Sequence, residues 1–358
     1  MKTQKITLIE KTREGVMKKI LLLAAMTIVS SNGLTHATVG QSGGQFLRIG
    51  VGARGPGMGG AISPIVDDVS SIYYNPAGLS RMESREIQMS YNAYFKDTSS
   101  QFLGYAHPTE DHGTFGVGIS MFGVRNIDKR SATAGDADAP DLGSFNTNDL
   151  AASLAWGNKL SLGSGRLRYG AALKYISSDL GAAKAVTAAT DFGAMYDFRE
   201  NGGLTVSLAV LNLGGELKFQ NIGDPLPLNV KPGVAYRMNF ERGGKLTAVL
   251  DSDLLVHDGL AYIQPGFEWS PYPMFSLRTG YQFARAAGAG SGFAAGAGFR
   301  LMNIGIDYAF VPFGDLGDTH RISLDYRFGP SSDSRSANAD PASNRARVSG
   351  RSQLSDLH

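Results

Sequence analysis

With 34 Lys and Arg against 32 Asp and Glu, the 358-residue chain carries a net charge of only +2, so nothing in its balance argues for nucleic acid. It contains no cysteine, which excludes a disulfide framework, a thiolate metal site and a cysteine nucleophile. Forty-six glycines and 14 tyrosines at 18% charged residues fit a β-rich chain of repeated strands better than two soluble domains.

Residues 1–37 read as a secretory signal. Lys18 and Lys19 precede the apolar run Ile20–Val29, and Thr35-His36-Ala37 places small residues at −3 and −1 of a cleavage site. The apolar run is too short to cross a bilayer as a helix. Met1–Val16 are superfluous to such a signal, which makes Met17 an alternative start. No later segment reaches 18 consecutive apolar residues, so no transmembrane helix is expected in the mature chain.

The stretch Gln45–Met82 has a different character. Gly50, Gly52, Gly55, Gly57, Gly59 and Gly60 preclude a regular helix, since each costs about 1 kcal/mol relative to alanine. The second half, Asp67–Leu79, accommodates one short helix stopped before Pro76, because the residue before proline is pushed out of the α region. Gly50-Val-Gly52-Ala-Arg-Gly55 formally satisfies a dinucleotide fingerprint, but Pro56 and further glycines stand where the phosphate-binding helix should open, and no lysine completes a P-loop. A flexible linker is disfavoured by Ile62, Ile65, Val69, Ile72, Tyr73 and Tyr74.

From Glu86 onward the apolar period is two. Ile322, Leu324, Tyr326 and Phe328 alternate with Arg321, Ser323, Asp325 and Arg327, and Leu167, Tyr169, Ala171, Leu173 and Tyr175 with Arg168, Gly170, Ala172 and Lys174. Fourteen strands are predicted, at 85–95, 99–108, 113–124, 147–162, 165–179, 184–198, 202–213, 227–241, 243–256, 258–270, 273–286, 291–301, 303–311 and 317–328. Most reach the ~9–11 residues that a tilted strand needs to cross a membrane. Every second connection is a tight turn, whereas the two long ones, Arg125–Asn146 and Gly214–Leu226, share the other parity. Short periplasmic turns with longer outer loops are the pattern of outer-membrane barrels. A barrel of this size leaves a lumen, and Gln45–Met82 is the segment available to fill it. Tyr91, Phe95, Tyr105, Phe310, Phe313, Tyr326 and Phe328, near strand ends, are expected in the interfacial girdles. After Phe328 the chain turns Ser-, Asn- and Arg-rich, and 329–358 reads as a disordered periplasmic tail.

Two end motifs carry a family resemblance. GARGPGMGGA with Asp67–Asp68 and Tyr74-Asn75-Pro76-Ala77-Gly78, followed at the far end by GIDYAFVPFGDLGDTHRISLDYRF (Gly305–Phe328), resembles the PorV/PorQ branch of FadL-like outer-membrane proteins. The resemblance implies an all-β fold: a transmembrane antiparallel β-barrel of about 14 strands with an N-terminal hatch in its lumen. It divides the chain into a signal (1–37), a hatch (38–84), a barrel (85–328) and a tail (329–358). It places Asp67, Asp68, Asn75, Pro76, Ala77 and Gly78 in the hatch motif, against the barrel wall. Buried acids at 67 and 68 need cations, and inward strand faces offer Arg168, Lys174, Arg278, Arg300 and Arg321.

Nothing nominates a catalyst. Gly40-Gln-Ser42-Gly-Gly44 fits G-x-S-x-G but lacks the strand–turn–helix context of a nucleophile elbow, and no histidine pair has zinc-ligand spacing. Asp251 and Asp253 share one strand face and read as lumen charges paired with neighbours. No metal, cofactor or enzymatic activity is expected. The resemblance leaves two functions open in the outer membrane of a Gram-negative (diderm) bacterium. One is a PorV/PorQ-like component of type IX protein export and surface attachment, with secreted proteins or secretion components as partners. The other is a FadL-like transporter of hydrophobic small molecules such as fatty acids or aromatic hydrocarbons. Leu217, Phe219 and Ile222, apolar residues spaced along the loop Gly214–Leu226, are candidate contacts for either partner.

Overall fold

A computed structural model describes residues 41–94, 97–129, 143–198, 203–240, 243–285 and 291–329. The expected signal, the tail from 330 onward, Phe95 and the centre of the 125–146 connection lie outside the described residues. The strands are β1 (Arg85–Ala93), β2 (Thr98–Pro108), β3 (Thr114–Asp128), β4 (Ser144–Leu162), β5 (Gly165–Asp179), β6 (Lys184–Asp197), β7 (Gly203–Gly214), β8 (Glu216–Lys218) and β9 (Gly223–Pro225). They continue as β10 (Asn229–Phe240), β11 (Gly244–Leu255), β12 (Leu260–Tyr272), β13 (Phe275–Tyr281), β14 (Phe293–Leu301), β15 (Ile304–Pro312) and β16 (Asp318–Phe328). Fourteen of them form one closed antiparallel barrel in chain order, and β8 and β9 pair separately as a small hairpin. Closure is made by β1 on β16, in register from Arg85 opposite Phe328 to Ala93 opposite His320. No edge is left for lipid to leave unsatisfied.

The alternation resolves into a wall that is polar inside and apolar outside. In β1, Glu86, Gln88, Ser90 and Asn92 are buried, while Ile87, Met89 and Tyr91 are 37%, 53% and 54% exposed. The same inversion recurs in β16, where Arg321, Ser323 and Asp325 are buried and Ile322, Leu324 and Tyr326 face outward. A soluble sandwich would hide the apolar face, because exposing it to water costs about 25 cal/mol per Å². Only a bilayer complements this wall, so the chain is a transmembrane barrel of the outer-membrane type.

The two rims differ. At one, Gly163–Ser164, Pro273–Met274 and Met302–Asn303 suffice to reverse the chain. The other rim carries the 129–143 connection, the β8–β9 hairpin and the 282–292 connection, and is therefore the outer one. The long connection 125–146 is shorter than the sequence suggests, since β3 and β4 resume pairing beyond a bulge, from Ile127 opposite Phe145 to Asp128 opposite Ser144.

Residues 41–82 lie inside the ring, touching strands on opposite sides of it. They begin at the outer rim, where the Gly43 N–H donates to Pro225 O at 2.9 Å, and descend to the short-turn half. Four short helical turns (Gln45–Arg48, Arg54–Gly57, Ser71–Tyr74 and Pro76–Arg81) are joined by irregular backbone. Met58, Ile62, Ile65, Val66, Val69, Ile72 and Leu79 are fully buried and form a core within the barrel. The wall opposite is made of glycine and alanine so that backbone can lie on backbone. A Cβ at position 170 would stand 2.5 Å from the Pro76 carbonyl carbon, and one at 157 would stand 2.6 Å from its oxygen. Glycine is required at both positions.

Candidate functional site

The N-terminal segment is fixed to the wall by charge-assisted hydrogen bonds at its lower end. Arg54 donates from Nε to Glu268 at 2.8 Å, and its Nη1 lies 2.5 Å from Asp67 and 3.5 Å from Asp68. Glu268 also accepts from Arg278 at 2.8 Å, and Arg278 continues to Asp307 at 2.5 Å. Burial works against charging Asp67, yet Arg54, followed by Arg237 and Lys245, holds its carboxyl well below the usual range. Burial likewise opposes the Arg54 charge, and Asp67 and Glu268 overcome it, raising its pKa well above the ordinary value. A second node is Asp197, which accepts from Arg81, Arg168 and Thr205, each at 2.7 Å. In a third, Asp251 accepts the backbone N–H and the hydroxyl of Ser63, both at 2.8 Å.

These contacts place the residues singled out from sequence. Asp67 and Asp68 take their cation from Arg54 within the segment itself; none of the five strand cations is their partner. Arg168 instead pairs with Asp197 and donates to Ser80 O, Lys174 pairs with Asp191, Arg278 with Glu268 and Asp307, and Arg300 with Asp325. Arg321 donates to Gly50 O at 3.0 Å and to the Tyr94 hydroxyl at 2.6 Å. Asn75 is extended at φ −167° and its side chain accepts from the Ala77 N–H at 3.1 Å, capping the turn that Pro76 begins. Gly78 leaves no room for a Cβ, which would meet Ser71 Oγ at 2.6 Å.

The loop residues divide. Leu217 is fully buried with Leu226, Phe46 and Leu47, and Phe219 packs against the same cluster, so the expectation of an exposed apolar row is corrected there. The cause is the N-terminal strap, residues 41–49, which closes against the β8–β9 hairpin and supplies the apolar partners. Ile222, at the hairpin tip, is 82% exposed.

Between the N-terminal segment and the outer rim lies a cavity of about 390 Å³. Its apolar lining includes Leu47, Tyr73, Tyr74, Tyr94, Tyr262, Leu211, Leu255, Val311 and Phe313. Its polar lining includes Gln45, Arg48, Asn212, Asn229, Lys231, Asp253, Gln264, Gln282, Arg285 and Arg321. Phe313, expected in the interfacial girdle, turns inward instead and lies beneath Arg285, whose guanidinium carbon is 4.3 Å from the ring centre. Asp253 is neutralised by Lys231 and accepts from Asn229 and Gln264, each at 2.7 Å. Arg54, Glu268, Asp197 and the cavity aromatics escaped the sequence reading. A lone arginine inside a glycine block was the one available signal, for Arg54.

Beside this cavity the wall thins. Strand β12 pairs with β13 only from Gly266 opposite Gly280 to Tyr272 opposite Phe275. Above that point, among the described residues, Leu260–Pro265 has no ladder partner on the β13 side, and a single backbone bond, Phe283 N to Ile263 O at 2.9 Å, spans the seam. Pro265 lacks an N–H to donate, and Ala284 sits at φ 62°, where the chain leaves the strand path.

A family model describing the Uncharacterised protein family (UPF0164) matches residues 23–325. The chain belongs to that family. No curated protein resembles it in sequence. Among solved structures it is similar to the P. putida toluene transporter TodX, at a TM-score of 0.53 and 12% identity over 78% of this chain and 99% of that one. The Ralstonia pickettii toluene transporter TbuX matches at a TM-score of 0.51 and 13% identity, over 78% and 99%. A TodX deltaS2S3 mutant, described as a monoaromatic hydrocarbon channel, matches at 0.56 and 12%, over 78% and 98%. At such identities the likeness shows the fold alone, a closed barrel like that of these neighbours, which are named as transporters and a channel.

Proposed function

We propose that this outer-membrane barrel takes up hydrophobic small molecules, with residues 38–84 as its hatch. The observation that carries the reading is the aromatic-lined cavity above the segment, set beside a seam in an otherwise closed wall. An apolar solute entering at the outer rim meets a pocket of the size and mixed lining typical of small-molecule sites. Residues 50–82 block the aqueous path below it, so the way out is sideways, between β12 and β13, into the bilayer. The neighbours of similar fold include proteins named as transporters of toluene, which is consistent with this class of solute.

The test exploits the absence of native cysteine. Purified chain reconstituted into liposomes should accelerate entry of toluene and of a fluorescent fatty acid. The double variant I263C/F283C should lose that uptake when oxidised and regain it on reduction. Equal entry into loaded and empty liposomes refutes the transport reading. Full uptake through the oxidised variant removes the seam from it.

The end motifs favour a second reading, a PorV/PorQ-like role in protein export. Loss of surface-attached proteins from a deletion strain, with hydrocarbon uptake unchanged, would select it over the first.

A further inference from the structure

Two of the cavity's four cations are accounted for by acids. Lys231 pairs with Asp253, and Arg48 lies 3.7 Å from Asp258. Arg321 and Arg285 are in no ion pair among the described residues. Arg321 is 5% exposed, and its Nε has no hydrogen-bond partner. Its Nη1 and Nη2 each donate to a neutral acceptor, Gly50 O and the Tyr94 hydroxyl, and each carries a second N–H. Arg285 donates to Pro312 O at 3.2 Å. Burial first, and then the Arg321 charge, lowers the Arg285 pKa, which registers how near the two cations stand. The uncompensated charge of the buried Arg321 is unfavourable, and the like charge of the half-buried Arg285 nearby adds to the cost. Evolution of a purely hydrocarbon pocket would gain nothing from such a pair.

The surroundings of the pair are flat and aromatic. Arg285 stacks on Phe313 at 4.3 Å, Arg321 lies 5.2 Å above Tyr94, and the Tyr94 and Phe313 rings are 6.2 Å apart. Tyr73, Tyr74 and Tyr262 also line the cavity. Its volume of about 390 Å³ stands at the compact end of small-molecule sites, which run about 300–1,000 Å³.

We infer that the cavity selects a compact, ring-bearing monocarboxylate, its carboxylate neutralising Arg321 and Arg285 and its ring lying among Tyr94, Phe313 and Tyr262. This rests on the transport reading and narrows it: the preferred solute is an amphipathic anion rather than a neutral hydrocarbon. A planar carboxylate takes two donors from guanidinium groups, a geometry that neither an ester nor a hydrocarbon reproduces.

Equilibrium dialysis of the full chain in detergent, with naphthalene-2-carboxylate, methyl naphthalene-2-carboxylate, palmitate and inorganic phosphate as probes, tests the inference. The free carboxylate should bind at least about tenfold more tightly than its ester, the scale of one charge-assisted hydrogen bond. R285Q should weaken the carboxylate by about tenfold and leave the ester within about twofold. R321Q should do the same, but it also loosens Gly50, so R285Q, which removes a hydrogen bond to Pro312 O and none to the N-terminal segment among the described residues, is the deciding variant. Equal binding of acid and ester, or an R285Q variant that treats both as the wild type does, overturns the inference while leaving hydrophobic transport standing. Palmitate outcompeting the naphthoate overturns the compact-ring part, and phosphate displacing it at equal concentration reduces the site to a bare anion hole. Failure of all three organic probes to bind, together with no liposome uptake, removes the transport reading itself.

Discussion

Replacing Arg54 by glutamine should open the barrel without unfolding it. The guanidinium links the N-terminal segment to the wall through Glu268 and neutralises Asp67 and Asp68. Glu268 keeps Arg278 in the variant, but Asp67 is left with Arg237 and Lys245 only at longer range. Removing one member of a buried ion pair costs about 3–5 kcal/mol. The Asp67 side chain is 36% exposed, so screening brings the figure towards the lower end, about 3 kcal/mol. That loss falls on the seated state, because an unseated Arg54 is solvated. At 1.4 kcal/mol per tenfold, the unseated population rises by roughly 100-fold. Single-channel recording in planar bilayers reads this directly as time spent conducting, with heat-modifiable migration confirming an intact barrel. R54K should fall between, since an ammonium cannot fork onto Glu268 and Asp67 together. Wild-type conductance and wild-type trypsin resistance in an R54Q barrel would refute the latch.

Deleting 45–82 from a folded barrel should give a permanently conducting pore; conductance unchanged from the full chain would mean that the segment does not block the lumen. L217S should cost about 2–4 kcal/mol locally, as for truncation of a buried leucine, and expose the strap 41–49 to protease, whereas I222S should leave protease resistance unchanged. If L217S abolishes heat-modifiable migration, Leu217 supports the barrel as a whole. Because the folded pKa of Asp67 is depressed, its stabilisation is complete above its unfolded value near 4 and is lost only as pH falls further through the folded value. Conductance should therefore stay closed and flat from pH 7 to about pH 4.5; opening at pH 5–6 would contradict the assignment.

The barrel was legible because its signal is repeated. Alternation in Ile322-Ser323-Leu324-Asp325-Tyr326 fixes which side chains face lipid, and strand count and loop parity follow from fourteen repetitions of the same rule. The short hairpin β8–β9 was not legible, since three-residue strands carry no period. Neither was the inward turn of Phe313, because an aromatic after a strand suits a girdle or a lumen equally until Arg285 is seen above it. The partners of Asp67 and Asp68 were missed for a related reason. Inward strand cations were visible from the pattern, but Asp197, Glu268, Asp307 and Asp325, one or two strands away, already occupy most of them. Arg54, 13 residues from Asp67 along an irregular segment, has no periodicity to announce its direction.

The fixings of the segment differ from bottom to top, and the difference bears on how a solute could pass. Its lower end is held to three strands, by ion pairs to Glu268 on β12 and Asp197 on β6 and by the hydrogen bond that Arg168 on β5 donates to Ser80 O. These contacts are buried and highly directional, and they would have to break together to unseat it. Its upper end is held by apolar packing of Phe46 and Leu47 on Leu217 and Leu226, and by Ser42, whose N–H and hydroxyl donate to Asp258 at 3.0 and 2.8 Å. Apolar contacts are non-directional and tolerate sliding, so the strap and hairpin can shift while the ionic base stays fixed. On the proposed transport reading, movement to admit a solute is thus least costly at the outer rim, and departure is least costly at the seam, where one backbone bond among the described residues joins β12 to the β13 side. A route that enters above the cavity and leaves beside it needs neither the base nor a continuous water-filled pore.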